Sequence, residues 1–310
     1  MSRVVVTGGS GRLGRSVVAG LRDAGNTVLS VDRQPDTDPN SAVADLLDPA
    51  AAKSVLADFG AEAVVHLAAI ATPFSAPERQ ILATNTMLAF TVAEAAVEVG
   101  VHSVIVASSP TVYGYGAPTG WVPEKLPLDE ESPARPWNAY SLSKLAAESV
   151  VSMFAAQVGD RMRLAAFRPC YVIAPEEWRG ALTQQGHTVA ERLADPSLSA
   201  PALFNYLDAR DAASFVVRLL ERMDTIPNGE TFIVGADDAL AERPLAELLP
   251  IYHPGTRAAA GALTGTAPAF SNARAKRLLD WHPQYNWRDE LVVSTGEETA
   301  AEHPRARTVR

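Results

Sequence analysis

The chain of 310 residues contains one cysteine, Cys170, which excludes an intramolecular disulfide and a zinc site built from thiolates. Basic residues are in deficit: 27 Lys and Arg stand against 36 Asp and Glu, a net charge of −9. That balance argues against a general nucleic-acid or anionic-membrane binder, which needs a positive surface. No uninterrupted apolar run reaches the ~18 residues of a membrane span. Met1-Ser2-Arg3 passes directly into Val4-Val5-Val6, without the layout of a signal peptide. His66, His102, His187, His253, His282 and His303 lie far apart, with no metal-ligand spacing, so no metal is expected. No internal repeat is found. At 47% hydrophobic and 20% charged residues the chain can bury a sizeable core, and intrinsic disorder is excluded. These absences lead to the expectation of a cytoplasmic, soluble protein that handles small molecules, with no nucleic-acid or membrane partner.

What is present is a rhythm. Short β-branched runs at Arg3–Thr7, 27–31, 63–67, Ser103–Ala107 and 164–167 alternate with helical patterns at 13–24, Pro49–Phe59, 84–99 and 138–157. Glycines at Gly25 and Gly100 supply helix stops. Strand, helix, strand in this order predicts a Rossmann-type, doubly wound parallel sheet of the α/β class, because parallel neighbours need crossover helices. The stretch 114–136 carries Pro118, Pro123, Pro127, Pro133 and Pro136, so it is expected to be a loop over the carboxyl ends of the strands, where open α/β sheets bind ligands. The later part is less regular: helical stretches near 188–194 and 210–222, a strand near 231–234, short helices from Ala241, and a Gly/Ala-rich linker at 258–265. The expected division is a dinucleotide-binding domain, 1–169 with a return segment 204–234. A small mixed C-terminal substrate-binding domain takes 170–203 and 235–295, and a disordered tail follows at 296–310.

Between the first strand and first helix stands Thr7-Gly8-Gly9-Ser10-Gly11-Arg12-Leu13-Gly14. Gly8 permits the turn off the strand, Gly11 leaves room for a pyrophosphate against the backbone, and Gly14 lets the helix pack close to the sheet. The helix amino end, from Ser10 through Arg12 and Leu13, offers N–H groups and positive dipole to phosphates. Asp32 ends the second strand, where a carboxylate accepts from ribose hydroxyls and repels a 2′-phosphate; NAD is thereby favoured. Arg33 beside it could pair with that phosphate, which keeps NADP open. Asp45-Leu46, after the next short strand, is placed either to cap an adenine or simply to turn the chain.

Tyr140 and Lys144 stand four apart at the start of a helix, on one face. A tyrosine with a pKa of about 10 is useless as a base at neutral pH; a nearby ammonium and a nicotinamide cation would favour its phenolate. Ser108-Ser109 ends the strand Ser103–Ala107, and Ser109 is the hydroxyl preferred for holding the substrate oxygen beside Tyr140.

Together these residues resemble the extended short-chain dehydrogenase/reductases, the NAD-dependent epimerase/dehydratase family that acts on nucleotide sugars. The resemblance runs through Thr7–Gly14, His66-Leu67-Ala68-Ala69, the helix asparagine Asn85, Ser109 with Tyr113-Gly114, Tyr140 with Lys144, Arg168-Pro169, the segment Tyr206 to Asp211, and Lys276 with Leu279 to Pro283. It implies a catalytic set Ser109, Tyr140 and Lys144, with Lys144 also holding the nicotinamide ribose. Leu67, Ala68, Ala69 and Asn85 would pass along the cofactor, and the helices 84–99 and 138–157 would form a homodimer interface. Thr111, Tyr171, Trp178 and Arg179 are the candidate substrate contacts.

Two departures bear on the substrate. The acid pair that dehydratases place after the catalytic hydroxyl is replaced by Pro110-Thr111, so dehydration is not expected. The asparagine and arginine that galactose-type epimerases put near Tyr171 and Phe204 to contact the substrate diphosphate are missing; either Arg163, Arg179, Arg192 or Arg210 substitutes for them, or the substrate is smaller and carries no diphosphate. Cys170 reads as an inert core thiol. The expected activity is Tyr-assisted hydride transfer on the hydroxyl or ketone of a sugar or nucleotide sugar. A dehydrogenase or reductase of a free sugar, a sugar acid or another small carbonyl compound is the alternative, and a non-catalytic dinucleotide sensor stands behind both.

Overall fold

Val4, Val5 and Val6 are wholly buried, as an uninterrupted apolar strand must be when helices cover both faces of its sheet. In the computed structural model, which describes residues 1–291, this strand is β1, Arg3–Thr7. It is followed by α1 (Arg12–Asp23), β2 (Thr27–Asp32), β3 (Ser41–Val43), α2 (Pro49–Phe59), β4 (Ala63–His66) and α3 (Glu78–Val99). Then come β5 (Ser103–Ala107), the proline-rich loop, α4 (Ala139–Val158) and β6 (Arg163–Pro169). The expected tail and residues 292–295 of the expected second domain lie outside the described residues.

β6 leads to β7 (Val172–Ile173), α5 (Pro175–Trp178), α6 (Val189–Ala194) and β8 (Leu207–Asp208), then to α7 (Ala209–Arg222) and β9 (Glu230–Val234). The main sheet has the order β3-β2-β1-β4-β5-β6-β9, with every pair parallel. Strand order reverses between β1 and β4, and the register sets Thr7 level with Val31 on one side and His66 on the other. A crevice therefore opens outside the carboxyl ends of these strands, at the switch point where such sheets bind ligands.

Successive side chains of β1 point to opposite faces. Val4 and Val6 join α1 and α7 in one apolar layer, and Val5 joins α2, α3 and α4 in the other. The first layer continues into α8 (Leu245–Tyr252), α9 (Arg257–Ala260) and α10 (Ala273–Leu279). Ala260 and Leu263 are buried in it, so the segment 258–265, which composition reads as a linker, is partly core. A third cluster, Ile173, Trp178, Val189, Leu193, Tyr206, Ala236 and Leu240, sits beneath the β7–β8 pair.

α3 begins six residues before the expected position 84, because its first turn is Glu78-Arg79-Gln80 and shows no apolar periodicity. By length and composition alone it could cross a membrane. Here Ile81, Leu88, Val92 and Ala96 are buried in the core, and charged residues at both ends interrupt the run.

Candidate active site

The glycine turn is built as its spacing demands. Gly8 has a φ of +69°, and a Cβ there would meet the Ala68 backbone. A Cβ on Gly14 would overlap the Gly8 carbonyl, and one on Gly9 would overlap the Ser30 hydroxyl. At Gly11 a Cβ would touch Gly8 O alone, at 3.1 Å, so its hydrogen keeps open the approach to the start of α1. No side chain caps that start. Unfilled space in front of uncapped N–H groups is the geometry that accepts a pyrophosphate, so the cradle fits a dinucleotide.

A cleft of about 830 Å³ runs from this cradle across the carboxyl edge of the sheet. Gly8, Gly11, Arg12, Leu13, Gly14, Asp32, Arg33, Leu46, Leu67, Ala68 and Ala69 line its first half. Ser10 stands behind: its hydroxyl donates to Asp32 Oδ2 at 2.5 Å, while Oδ1 accepts the Arg33 N–H at 2.7 Å. Asp45 does not line the cleft; it is exposed, and its carboxylate accepts the Leu47 N–H in a turn. Of the two readings of Asp45, the structure favours the turn.

Asn85 also lies off the cleft lining. It is buried, its Oδ1 accepts the Ile70 N–H at 2.8 Å, and its Nδ2 donates to Ile70 O and to Ser143 Oγ, both at 3.1 Å. It fastens the loop after β4 to α4, and Ile70, not Asn85, faces the cleft.

Ser109, Thr111, Tyr140 and Lys144 converge on the middle of the cleft. Asn138 caps α4 by accepting the Ser141 N–H, which starts the helix so that Tyr140 and Lys144 share its inner face. The Tyr140 hydroxyl lies beside the Ser109 side chain, which favours its ionised form. Ser109 Oγ accepts from Thr111 N at 3.3 Å and Thr111 Oγ1 at 3.0 Å. Ser108 turns the other way, donating to Glu148, so of the two serines Ser109 meets the tyrosine.

Burial dominates the acid–base state of both central groups. It pushes Tyr140 up to about 12, against the lowering by the Ser109 side chain, and pulls Lys144 down to about 8. Lys144 Nζ donates to Ala107 O at 2.9 Å and lies 5.8 Å from the Tyr140 ring centroid. In the protein without a dinucleotide, desolvation outweighs what the lysine contributes to the phenolate. His66, beneath them, is held neutral, pulled to about 3 by burial and by the Lys144 charge; its Nδ1 is 2.8 Å from Thr7 Oγ1.

Tyr171 lines the far end of the cleft, but Trp178 and Arg179 do not. The Trp178 indole is buried, donating to Asp208 Oδ2 at 2.6 Å and meeting Tyr206 edge-on. Arg179 is exposed at the end of α5. Neighbourhood in sequence misplaced both, because α5 turns the chain away from the cleft immediately after β7. The sequence reading also passed over Phe74 and Trp137, whose rings lie 5.7 Å apart at the cleft, and Gln184, Gln185 and Asn205 at its far end. No local spacing marks them; they meet only in the fold. Cys170 also lines the cleft, and burial pushes its thiol up, keeping it protonated. Among the described residues no group of His, Cys, Asp and Glu is arranged to hold a metal ion.

A uronate dehydrogenase of Agrobacterium fabrum is 29% identical over 207 residues, covering 66% of this chain and 74% of that protein. A UDP-glucose 4-epimerase of Azospirillum brasilense is 31% identical over 163 residues, 48% of this chain and 43% of that protein. The chain spans about half the length of this and other UDP-glucose 4-epimerases that it matches. The crystal structure of a short-chain dehydrogenase/reductase superfamily protein from Agrobacterium tumefaciens with bound NAD is similar at a TM-score of 0.71 and 25% identity, over 97% of this chain and 99% of that one. A model of the NAD dependent epimerase/dehydratase family matches residues 4–235, and the chain belongs to that family.

Proposed function

We propose that the protein is an NAD-dependent oxidoreductase that interconverts a hydroxyl and a ketone on a sugar-like substrate. The observation that carries this reading is the meeting of Ser109, Tyr140 and Lys144 in one cleft with the glycine cradle and Asp32. Gly8, Gly11, Gly14, Arg12 and Leu13 would hold the pyrophosphate, Asp32 the adenosine ribose, and Lys144 the nicotinamide ribose. NAD+, when bound, supplies the hydride acceptor and a positive charge near Tyr140.

Tyr140 Oη takes the hydroxyl proton of the substrate as the carbon loses its hydride. Ser109 holds the same oxygen by a hydrogen bond, which Thr111 orients through its own contact with Ser109 Oγ. Lys144, protonated below about pH 8, adds its charge next to the phenolate. The apolar lining from Ala68 to Pro73, with Cys170 and Pro169, keeps water from the reacting atoms. Pro110 and Thr111 offer no acid–base pair for elimination of water.

The ketone is then either re-reduced on its other face, which is epimerisation, or released, which is dehydrogenation. Release from a sugar acid is favoured by a specific observation: Phe204, near which an epimerase would place a diphosphate-binding arginine, is wholly buried in the core, and the uronate dehydrogenase match covers more of the chain than the epimerase match. We also propose a homodimer through α3 and α4, whose outer faces expose Met87, Leu142 and Met153; light scattering reads its mass.

The decisive experiment replaces Tyr140 by Phe. NADH formation should fall by at least about a hundredfold, the loss of general base catalysis, while NAD+ affinity changes less than twofold. Retained turnover removes Tyr140 from the chemistry, and failure to bind any dinucleotide removes the reading as a whole.

A further inference from the structure

Four arginines are offered by the sequence to meet a substrate anion, and the structure disposes of three. Arg163 donates to the carbonyls of Met223, Asp224 and Ile226. Arg210 grips Asp208 and Glu290. Arg179 is exposed at the end of α5. Arg192 differs from all of them.

Arg192 rises from α6 and is 1% exposed. Its Nη1 donates to Gln185 Oε1 at 2.5 Å, and its guanidinium carbon lies 4.2 Å from the Tyr171 ring centroid. Among the described residues its Nε and Nη2 find no acceptor, and the buried Tyr171 hydroxyl finds no partner either. Burial pulls the guanidinium below its ordinary range, although the nearby Tyr171 and Glu177 favour its charge. Glu177 does not satisfy it, since one carboxylate oxygen is taken by Arg12 and the other by the Ala174 N–H. A buried cation with two idle donors is costly unless an anion completes it. Arg192 itself does not line the cleft; Tyr171 and Gln185, which touch its guanidinium, do, at the end opposite the glycine cradle, so the idle donors lie one side chain behind the lining.

We propose that Arg192, with the Tyr171 hydroxyl and Gln185, is an oxyanion-recognition site, and that the substrate is a sugar bearing a carboxylate or phosphate rather than a neutral hexose. The anion joins or replaces Gln185 Oε1 at the guanidinium edge and gives Nη2 its acceptor, while Tyr171 donates to the same group. The inference rests on the reading of the cleft as a sugar-oxidising site.

The full-length protein with NAD+ is tested against glucuronate and galacturonate, glucose and galactose, and UDP-glucose. NADH formation, epimer formation by NMR, and calorimetric binding are all read. The expected result is a kcat/KM at least about tenfold higher for an anionic sugar than for its neutral counterpart, the worth of one charge-assisted hydrogen bond. Preference for the hexuronates assigns the anion to a carboxylate, and response to UDP-glucose alone assigns it to phosphate. Arg192→Gln should raise KM for the anionic sugar at least about tenfold with kcat within about threefold and NAD+ affinity unchanged. Arg192→Lys should restore part of the loss, and Tyr171→Phe should shift KM in the same direction by less. If Arg192→Gln does not fold, the selectivity of the unmodified protein and Tyr171→Phe decide. Equal or better use of neutral sugars, or an unchanged KM in Arg192→Gln, overturns the inference. NAD+ binding and the Tyr140→Phe result report separately on the underlying reading.

Discussion

Glu148 and Arg168 meet as a two-pronged ion pair inside the protein, Nε to Oε1 and Nη2 to Oε2, each at 2.7 Å. Ser108 donates to the same carboxylate, and Arg168 Nη1 continues to the Tyr113 hydroxyl, which donates to Asp129 O. This network binds α4 to the ends of β5 and β6 one residue away from Ser109. Removing one member leaves a buried charge alone, so Glu148→Ala should lose about 3–5 kcal/mol in denaturant titration. Glu148→Ala combined with Arg168→Met should recover part of it, since the stranded guanidinium is gone. A single-variant loss below about 1 kcal/mol would mean that water reaches the pair and that it does not hold the helix.

The glycines of the cradle separate packing from binding. A Cβ at Gly14 runs into backbone at Gly8 and Gly9 at distances that no small shift relieves, whereas at Gly11 it meets a single carbonyl, Gly8 O, at 3.1 Å, a tight contact that a shift of a few tenths of an ångström relieves. Gly14→Ala should therefore lower the melting temperature by several degrees and reduce expression of folded protein. Gly11→Ala should melt within about two degrees of the parent yet bind NAD+ at least about tenfold more weakly, because its methyl group occupies the pyrophosphate approach. Equal thermal penalties for the two would contradict this assignment.

The same contrast explains how far the sequence could be read. Gly8-x-x-Gly11-x-x-Gly14 and Tyr140-x-x-x-Lys144 are spacings within one turn or one helix, so local geometry fixes where the groups point. Parallel strands such as Val4–Val6 announce themselves by burial on both faces. Asn85, Trp178 and Arg192 are different. Asn85 sits where a cofactor contact is expected but spends its amide on Ile70 and Ser143, and Trp178 spends its indole on Asp208. Arg192 becomes distinctive only through the acceptors it lacks. Which partner a side chain finds across the fold is decided by packing between elements distant in sequence, and no periodicity encodes it. The start of α3 was hidden for a simpler reason, since a polar first turn carries no hydrophobic period.

Asp32 should govern the choice of dinucleotide. Ser10 and the Arg33 N–H hold its carboxylate at the end of β2, and Arg33 lies next to it on the cleft lining. Asp32→Ala removes the repulsion of a 2′-phosphate and leaves Arg33 to attract it. The ratio of NADP+ to NAD+ affinity should rise at least about tenfold by calorimetry; an unchanged ratio would place the adenosine ribose elsewhere.

The pH dependence of oxidation follows from two displaced groups. With Tyr140 pushed up to about 12 and Lys144 down to about 8 in the free protein, the phenolate is scarce at neutral pH. Its fraction grows about tenfold per pH unit while the pH stays well below the tyrosine pKa. Above about 8 the ammonium is lost and with it part of the phenolate's stabilisation, so log kcat/KM should rise steeply below that pH and flatten above it. Lys144→Met should lower the rate at pH 7 at least about tenfold and remove the bend. A flat profile in the parent protein would exclude Tyr140 as the base.

His66 supplies a stability signal that needs no substrate. Its folded pKa is pulled to about 3 by burial and then by Lys144, against about 6.5 in an unfolded chain. Between those values the unfolded chain takes up a proton that the folded protein refuses. The contribution is present above about pH 6.5 and lost on acidification, at up to about 1.4 kcal/mol per unit, or about 2 kcal/mol by pH 5. Asp211 tilts the other way over part of this range, since burial raises its carboxyl to about 6 and a raised acid favours the folded state as pH falls. The measurable quantity is therefore the difference between the parent protein and His66→Gln in denaturant titrations at pH 7.5 and pH 5. The variant should lose about 2 kcal/mol less over that interval. Equal losses would mean that His66 is protonated in the folded state and that its ring has reached water or an acceptor other than Thr7.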